Sequence, residues 1–192
     1  MHEIFLSAEP LFFIGTFPFT NTLLVSLFAV GVIVLGSYLL SRKYAEGPGT
    51  AQGIVELVYE GLADLMDSVL GDRKKSETYL PFVATIFIFI LVSNWLGILP
   101  GVGSLGLKEG HHFIPLLRSP ASDLNFTLML AIVTVVVVNV FGVMAIGIKR
   151  HASKFLNFSG PINFFVGILE FISEIARMIS FAFRLFGNVF AG

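Results

Sequence analysis

Cysteine is absent from this 192-residue sequence. That excludes a disulfide framework, a thiolate nucleophile and any cysteine-based metal or cluster site. Charge is scarce as well, at 13% of residues against 55% hydrophobic, and the mean hydropathy is +0.87. A soluble domain of this length covers one apolar core with charge, and 12 basic and 13 acidic side chains, unevenly placed, are too few to do so. The net charge of -1 offers no concentrated basic surface, which excludes a nucleic-acid partner. A basic n-region is missing from the Met1-His2-Glu3 start, and the first apolar run is longer than a signal-peptide core, so that run reads as a retained span.

The charges that do occur are clustered. None lies between Glu9 and Arg42, between Glu77 and Lys108, or between Asp123 and Lys149, and each gap exceeds the roughly 20 apolar residues that cross a bilayer as a helix. Lipid is therefore the main solvent, and the fold class is all-α: a polytopic membrane protein forming a single membrane domain over 1–192. Spans are expected at about 19–40, 80–99 and 124–148. Phe12, Phe13, Phe17 and Phe19 precede the first, suited to the membrane interface or to lipid contact.

The Gly47-Pro48-Gly49 break ends the first helix, and Thr50 is expected to cap the next, over about 50–70. There Ile54, Leu57, Val58, Leu62, Leu65, Met66 and Val69 keep helical spacing, while Glu56, Glu60, Asp64 and Asp67 take the other face. Such an amphipathic helix lies at the interface or packs against a protein neighbour, its acidic face being unlike the basic one of membrane-surface helices. Pro81 is expected in the first turn of the second span, where a missing N–H matters little, and Asn94 and Trp95 read as packing and interface residues. Residues 101–124 read as a turn-rich loop. Gly101, Gly103 and Gly106 spell a G-x-G-x-x-G string there, but it follows a membrane helix and opens none, so nucleotide binding is set aside. His111 and His112 are adjacent and point apart on any regular element, which favours a solvated pair over a metal site. No cofactor and no metal are expected.

Lysine and arginine are distributed unequally between the two sides. Arg42, Lys43, Arg73, Lys74, Lys75, Lys149, Arg150 and Lys154 fall on one side of the spans and only Lys108 and Arg118 on the other. The positive-inside rule puts loops 41–79 and 149–160 in the cytoplasm and the N-terminus outside.

The segment from Pro161 to Gly192 is apolar and Phe-rich, yet it holds Glu170, Glu174, Arg177, Arg184 and Asn188. At 3.6 residues per turn, positions 170, 174, 177, 181, 184 and 188 fall in one narrow sector, a polar stripe interrupted only by Phe181 and flanked by Ser173 and Ser180. One reading is a solvated face of an interfacial helix, or internal pairs such as Glu170 or Glu174 with Arg177. The other is a water-filled path or a partner surface, because a charge at the centre of a bilayer costs about 2.5 to 3.5 kcal/mol even on the gentlest scale.

The run Ser180-Phe-Ala-Phe-Arg184-Leu-Phe-Gly-Asn188-Val-Phe-Ala-Gly192 resembles the signature of subunit a of the bacterial F-type ATP synthases. The resemblance extends to the acidic amphipathic helix, to the Ser119-Pro120-Ala121-Ser122-Asp123-Leu124-Asn125 entry to the third span, and to an acidic residue 14 positions before the arginine (184 − 170). It implies a stator subunit whose arginine faces the carboxylates of a rotating c-subunit ring between two offset aqueous half-channels, with peripheral stalk b subunits and the rest of the ATP synthase as further partners. Carried over, Arg184 is the ring-facing charge, Glu170 and Asn188 line the outer half-channel, and Asp123 is a polar group near its entrance. Glu174 and Arg177 share the stripe and join the ion-translocation set. Family members continue past this point with an acidic residue and another long helix, so the resemblance implies that the chain is incomplete at its C-terminus. The expected setting is a bacterial inner membrane, the expected ion a proton, and no reaction is catalysed by this chain itself. A self-contained transporter or channel is the alternative, without the internal repeat of broken helices such proteins show. An intramembrane metalloenzyme is a further rival, but His2, His111, His112 and His151 all fall outside the spans.

Overall fold

A computed structural model describes residues 10–44, 49–99, 106–109, 112–115, 118–155 and 160–190. Gly47, Pro48, Gly101, Gly103, His2 and His111 lie outside the described residues. The chain divides into two units, one of residues 10–119 and one that includes residues 120–192.

The first unit opens on a feature the hydropathy pattern does not announce. Strands β1 (Pro10–Ile14) and β2 (Phe17–Thr20) pair antiparallel across a turn in which Gly15 takes φ 66°. Phe12 stacks on Phe19 with ring centroids 4.7 Å apart. The aromatic stretch that precedes the first span is thus a hairpin, and the helix starts at Asn21 rather than at Phe19. Helix α1 (Asn21–Tyr44) begins after it, where the Leu23 N–H donates to Thr20 Oγ1 at 3.3 Å.

Helices α2 (Thr50–Leu70) and α3 (Arg73–Ile98) form a tight pair. Gly49, not Thr50, occupies the N-cap of α2, with no side-chain bond, and Thr50 is already helical. Gly71 ends the helix in the left-handed conformation (φ 65°), donating to Asp67 O at 2.8 Å, and Asp72 then caps α3 by accepting from Lys74 N at 3.0 Å. That cap starts the helix seven residues before the expected Leu80. Pro81 therefore sits inside α3 rather than in its first turn, where it cannot donate to the Glu77 carbonyl; Thr85 Oγ1 donates to Pro81 O at 2.6 Å. Leu62, Ala63 and Leu80 make the buried seam of the pair, with Val58, Met66 and Ala84 around it. Ile54, Leu57, Leu65 and Val69 stay exposed, an apolar surface facing away from α3. One end of the acidic face is paired within the chain: Arg73 reaches Asp64 at 3.1 Å, Asp67 at 2.8 Å and Glu77 at 3.3 Å.

The stretch expected as an irregular loop contains a second hairpin, β3 (Gly106–Glu109) with β4 (His112–Pro115). Gly106, the last glycine of the G-x-G-x-x-G string, begins a strand, not a helix. At the end of α3, Ser119 Oγ donates to Asn94 Oδ1 at 3.1 Å, and a Cβ on Gly97 would lie 2.5 Å from Ser119 Cβ, so Asn94 is a packing residue as its position suggests.

The second unit begins with a 3-10 turn (Pro120–Ser122) and α4 (Leu124–Ile146), continues through the short α5 (Ile148–Ala152), and ends in α6 (Pro161–Phe190). The third span stops at Ile146 rather than Ile148, because Gly147 adopts φ 84° and donates to Val143 O at 2.8 Å. Helices α1, α3 and α4 each carry a segment long and apolar enough to cross a membrane, over Asn21–Arg42, Arg73–Ile98 and Leu124–Ile146.

Candidate functional site

The site is built on the α4–α6 seam. In α4, Thr127, Ala131 and Val135 are buried at four-residue spacing, which aligns them, with Asn139 next in the row, along one face. In α6 the buried residues are Gly167, Glu174, Ala182 and Phe186. Small residues on both helices permit close approach, as in membrane helix pairs generally. Gly167 of α6 also lies close against the turn after α5, where a Cβ would collide with Phe155 O.

The stripe borders this seam and spans about 80° of the helix circumference. Glu174 lies at its inner edge and is 8% exposed, whereas Arg184 and Asn188 are exposed. Glu174 Oε1 accepts from Asn139 Nδ2 at 2.7 Å. Its Oε2 is buried and accepts no hydrogen bond among the described residues; Lys154 Nζ and Arg177 Nη1 stand 3.8 Å and 3.9 Å away, in ion-pair range but too far for a hydrogen bond. Glu170 Oε1 pairs with Lys154 Nζ at 2.7 Å. The internal pair expected between Glu174 and Arg177 is present, while Glu170 takes Lys154 instead of Arg177.

Beside Glu174, α4, α5 and α6 line an open groove of about 900 Å³. Its lining is apolar except for Asn139, His151 and Glu174. His151 Nε2 lies 2.9 Å from Asn139 Oδ1, and Asn139 Nδ2 donates also to Val135 O at 2.9 Å. Asn139, His151 and Lys154 were not among the residues expected to matter. Asn139 is the one amide within an otherwise Val- and Ile-rich stretch of α4, a signal the sequence does carry. His151 and Lys154 read in sequence only as part of a basic stop.

Arg184 is the exception on the stripe. Among the described residues no carboxylate pairs with it, and its guanidinium carbon lies 5.8 Å from the Phe181 ring centroid. Asp123 is buried as the N-cap of α4, accepting from Asn125 N at 3.0 Å, so its placement is accounted for by helix capping.

Glu170 and Asn188 are 18 positions apart (188 − 170) on one continuous helix, about 27 Å at 1.5 Å per residue, so the two residues that the resemblance assigns to the outer half-channel lie on either side of Arg184. Glu170 is tied to Lys154 of the basic segment, and Asn188 lies at the other end.

Three membrane-length helices and a long apolar helix with an ionisable stripe define the class, a polytopic helical membrane protein with charge held at helix level. The family model described as ATP synthase A chain matches residues 23–192, and the chain belongs to that family. It is 35% identical over 161 residues to "ATP synthase subunit a" of Campylobacter concisus, a match covering 82% of this chain and 63% of that one. Proteins of the same name from Moorella thermoacetica (31% identical, 94% of this chain and 73% of the relative) and Mycobacterium tuberculosis (34%, 90% and 67%) are similar in the same way.

Proposed function

We propose that this chain is the ion-translocating stator subunit of a rotary ATP synthase, working as one membrane domain against a ring of small carboxylate-bearing subunits. The observation that carries this reading is Arg184, an exposed guanidinium on a Phe-rich helix with no carboxylate paired to it among the described residues. Charge in that position calls for a partner, and a ring carboxylate supplies one.

A guanidinium is effectively never deprotonated, so Arg184 presents a fixed positive charge and does not itself relay a proton. A protonated ring carboxylate arriving beside it is drawn to ionise and releases its proton to one half-channel. It takes up another from the second half-channel before re-entering lipid, which ties translocation to rotation. Glu170 and Glu174 serve the half-channel on the side of the basic segment, and Asn188 serves the opposite one. With the positive-inside orientation, loops 41–79 and 149–160 face the cytoplasm of a bacterial cell and the N-terminus faces outward. Each charge moved is worth about 2.3 kcal/mol per 100 mV, so several ions per turn drive the nucleotide chemistry, which other subunits perform. The peripheral stalk b subunits hold this stator against the turning ring, and the exposed apolar side of α2 is available to such a neighbour.

Arg184→Ala in the full-length subunit tests the reading by its passive leak. Vesicles holding assembled variant complexes should lose an imposed ion gradient faster than those holding the parent, since a protonated ring site can then pass between half-channels without a full turn. Equally tight vesicles that retain coupled synthesis would refute it.

A further inference from the structure

Glu174 is the deepest charge on the stripe, and its surroundings reach beyond α6. Asn139 spends both amide hydrogens, one on Glu174 Oε1 at 2.7 Å and one on Val135 O at 2.9 Å. Its Oδ1 can only accept, so the contact at 2.9 Å requires a hydrogen on His151 Nε2. The polarity of the chain is thereby fixed: imidazole donates to amide, amide donates to carboxylate. That leaves Nδ1 as the ring atom that gains or loses a proton, and this happens without breaking the chain. The ring is held in place. A Cβ on Gly142 would stand 2.6 Å from His151 Cε1, so the missing side chain there is what lets the imidazole lie against α4, and Phe155 meets the ring edge-on at 5.9 Å.

We propose that His151 is a positioning residue for Glu174, acting through Asn139, and that its protonation couples the acidity of the aqueous phase beside the basic segment to the charge state of Glu174. This rests on the stator reading given above. The groups facing the pair are few. Helix α4 contributes no titratable side chain. Helix α6 contributes Glu170, Glu174 and Arg177, and the segment carrying His151 contributes Lys149, Arg150 and Lys154. Of these, Lys154 is committed mainly to Glu170 at 2.7 Å and stands back from Glu174 Oε2 at 3.8 Å. Among these side-chain types histidine is the one that changes charge near neutral pH. A positive ring favours the carboxylate anion across the amide, and a neutral ring relaxes that hold.

The test is ion-driven ATP synthesis by assembled full-length complexes in inverted vesicles, followed over a pH series on the side of the basic segment. His151→Gln places an amide N–H where Nε2–H was and cannot titrate. It should keep the maximal rate within about twofold while moving the midpoint of the neutral limb of the profile by about half a pH unit or more. Asn139→Leu cuts the chain at its centre and should move the same limb. In a Glu174→Gln background, His151→Gln should change nothing further. An unchanged profile in both single variants, with Glu174→Gln itself altering the rate, overturns the His151 role and leaves the stator reading intact. If Glu174→Gln also leaves rate and profile unchanged, the part of the stator reading assigned to Glu174 falls as well. Failure of both single variants to assemble assigns the pair to packing and overturns the proposal too.

Discussion

Arg73, at the turn between α2 and α3, and Arg184, near the end of α6, carry the same charge in opposite settings. Arg73 is gripped by Asp64, Asp67 and Glu77 within 3.3 Å on a surface rich in charge. Arg184 stands among phenylalanines, with an aromatic ring as its only described neighbour of electrostatic consequence. The contrast separates two uses of a guanidinium. Three carboxylates already neutralise the first, so it has nothing left to offer a partner, and exposed pairs of this kind contribute little to stability. The second is held in apolar surroundings with its charge unspent, an arrangement that is unfavourable in lipid and calls for water or a negative group beside it.

The sharpest way to break that comparison is Arg184→Lys. If charge alone mattered, lysine would serve. Lysine is a compact ammonium that can lose its proton when desolvated, so the variant should lose most coupled ATP synthesis while the complex still assembles. Near-parental synthesis would reduce Arg184 to a point charge. A smaller effect is expected from the carboxylates between these extremes. Glu174→Gln keeps shape and hydrogen bonding and removes a buried titratable group, and should slow ion flux by roughly tenfold, below the roughly hundredfold at which the contribution of a positioned acid or base begins. Glu170→Gln, at a more open site and already paired with Lys154, should slow flux by less than Glu174→Gln. The reverse ranking, measured as flux per assembled complex, would move the working carboxylate to the mouth of the path. The smallest effect belongs to Arg73. Ser76 and Arg73 hold the Asp67 carboxyl below the usual carboxylate range, so this contribution to the α2–α3 turn is present at neutral pH and is lost only as pH falls through that lowered value. Because such exposed pairs contribute little, Arg73→Gln should leave flux at pH 7 within about twofold of the parent.

Much of this is legible in the amino-acid sequence alone. The three spans follow from charge-free gaps that no soluble fold explains, and the stripe follows from helical spacing of five polar residues in an apolar run. What the pattern concealed has physical causes. The β1–β2 hairpin uses the same aromatic residues that make a span look longer, and hydropathy does not distinguish a paired strand from helix at that length. The early start of α3 depends on one capping aspartate, Asp72, preceding a charged first turn that a hydropathy window rejects. On α6, periodicity gives a shared face but not depth. It cannot reveal that Glu174 turns inward to Asn139 while Arg184 turns out, because that depends on which edge of the stripe meets α4. The Lys154–Glu170 and His151–Asn139 contacts join residues across a loop and are invisible to any pattern local in sequence.

An external partner for Arg184 is open to test by a paired measurement. Arg184→Ala and Arg73→Ala, each in the full-length subunit, are assembled into complexes, reconstituted in sealed vesicles and driven by the same imposed ion gradient. No detectable ATP synthesis is expected from Arg184→Ala and near-parental synthesis from Arg73→Ala, at equal amounts of assembled complex. Coupled synthesis by Arg184→Ala at a rate close to that of the parent would contradict this expectation.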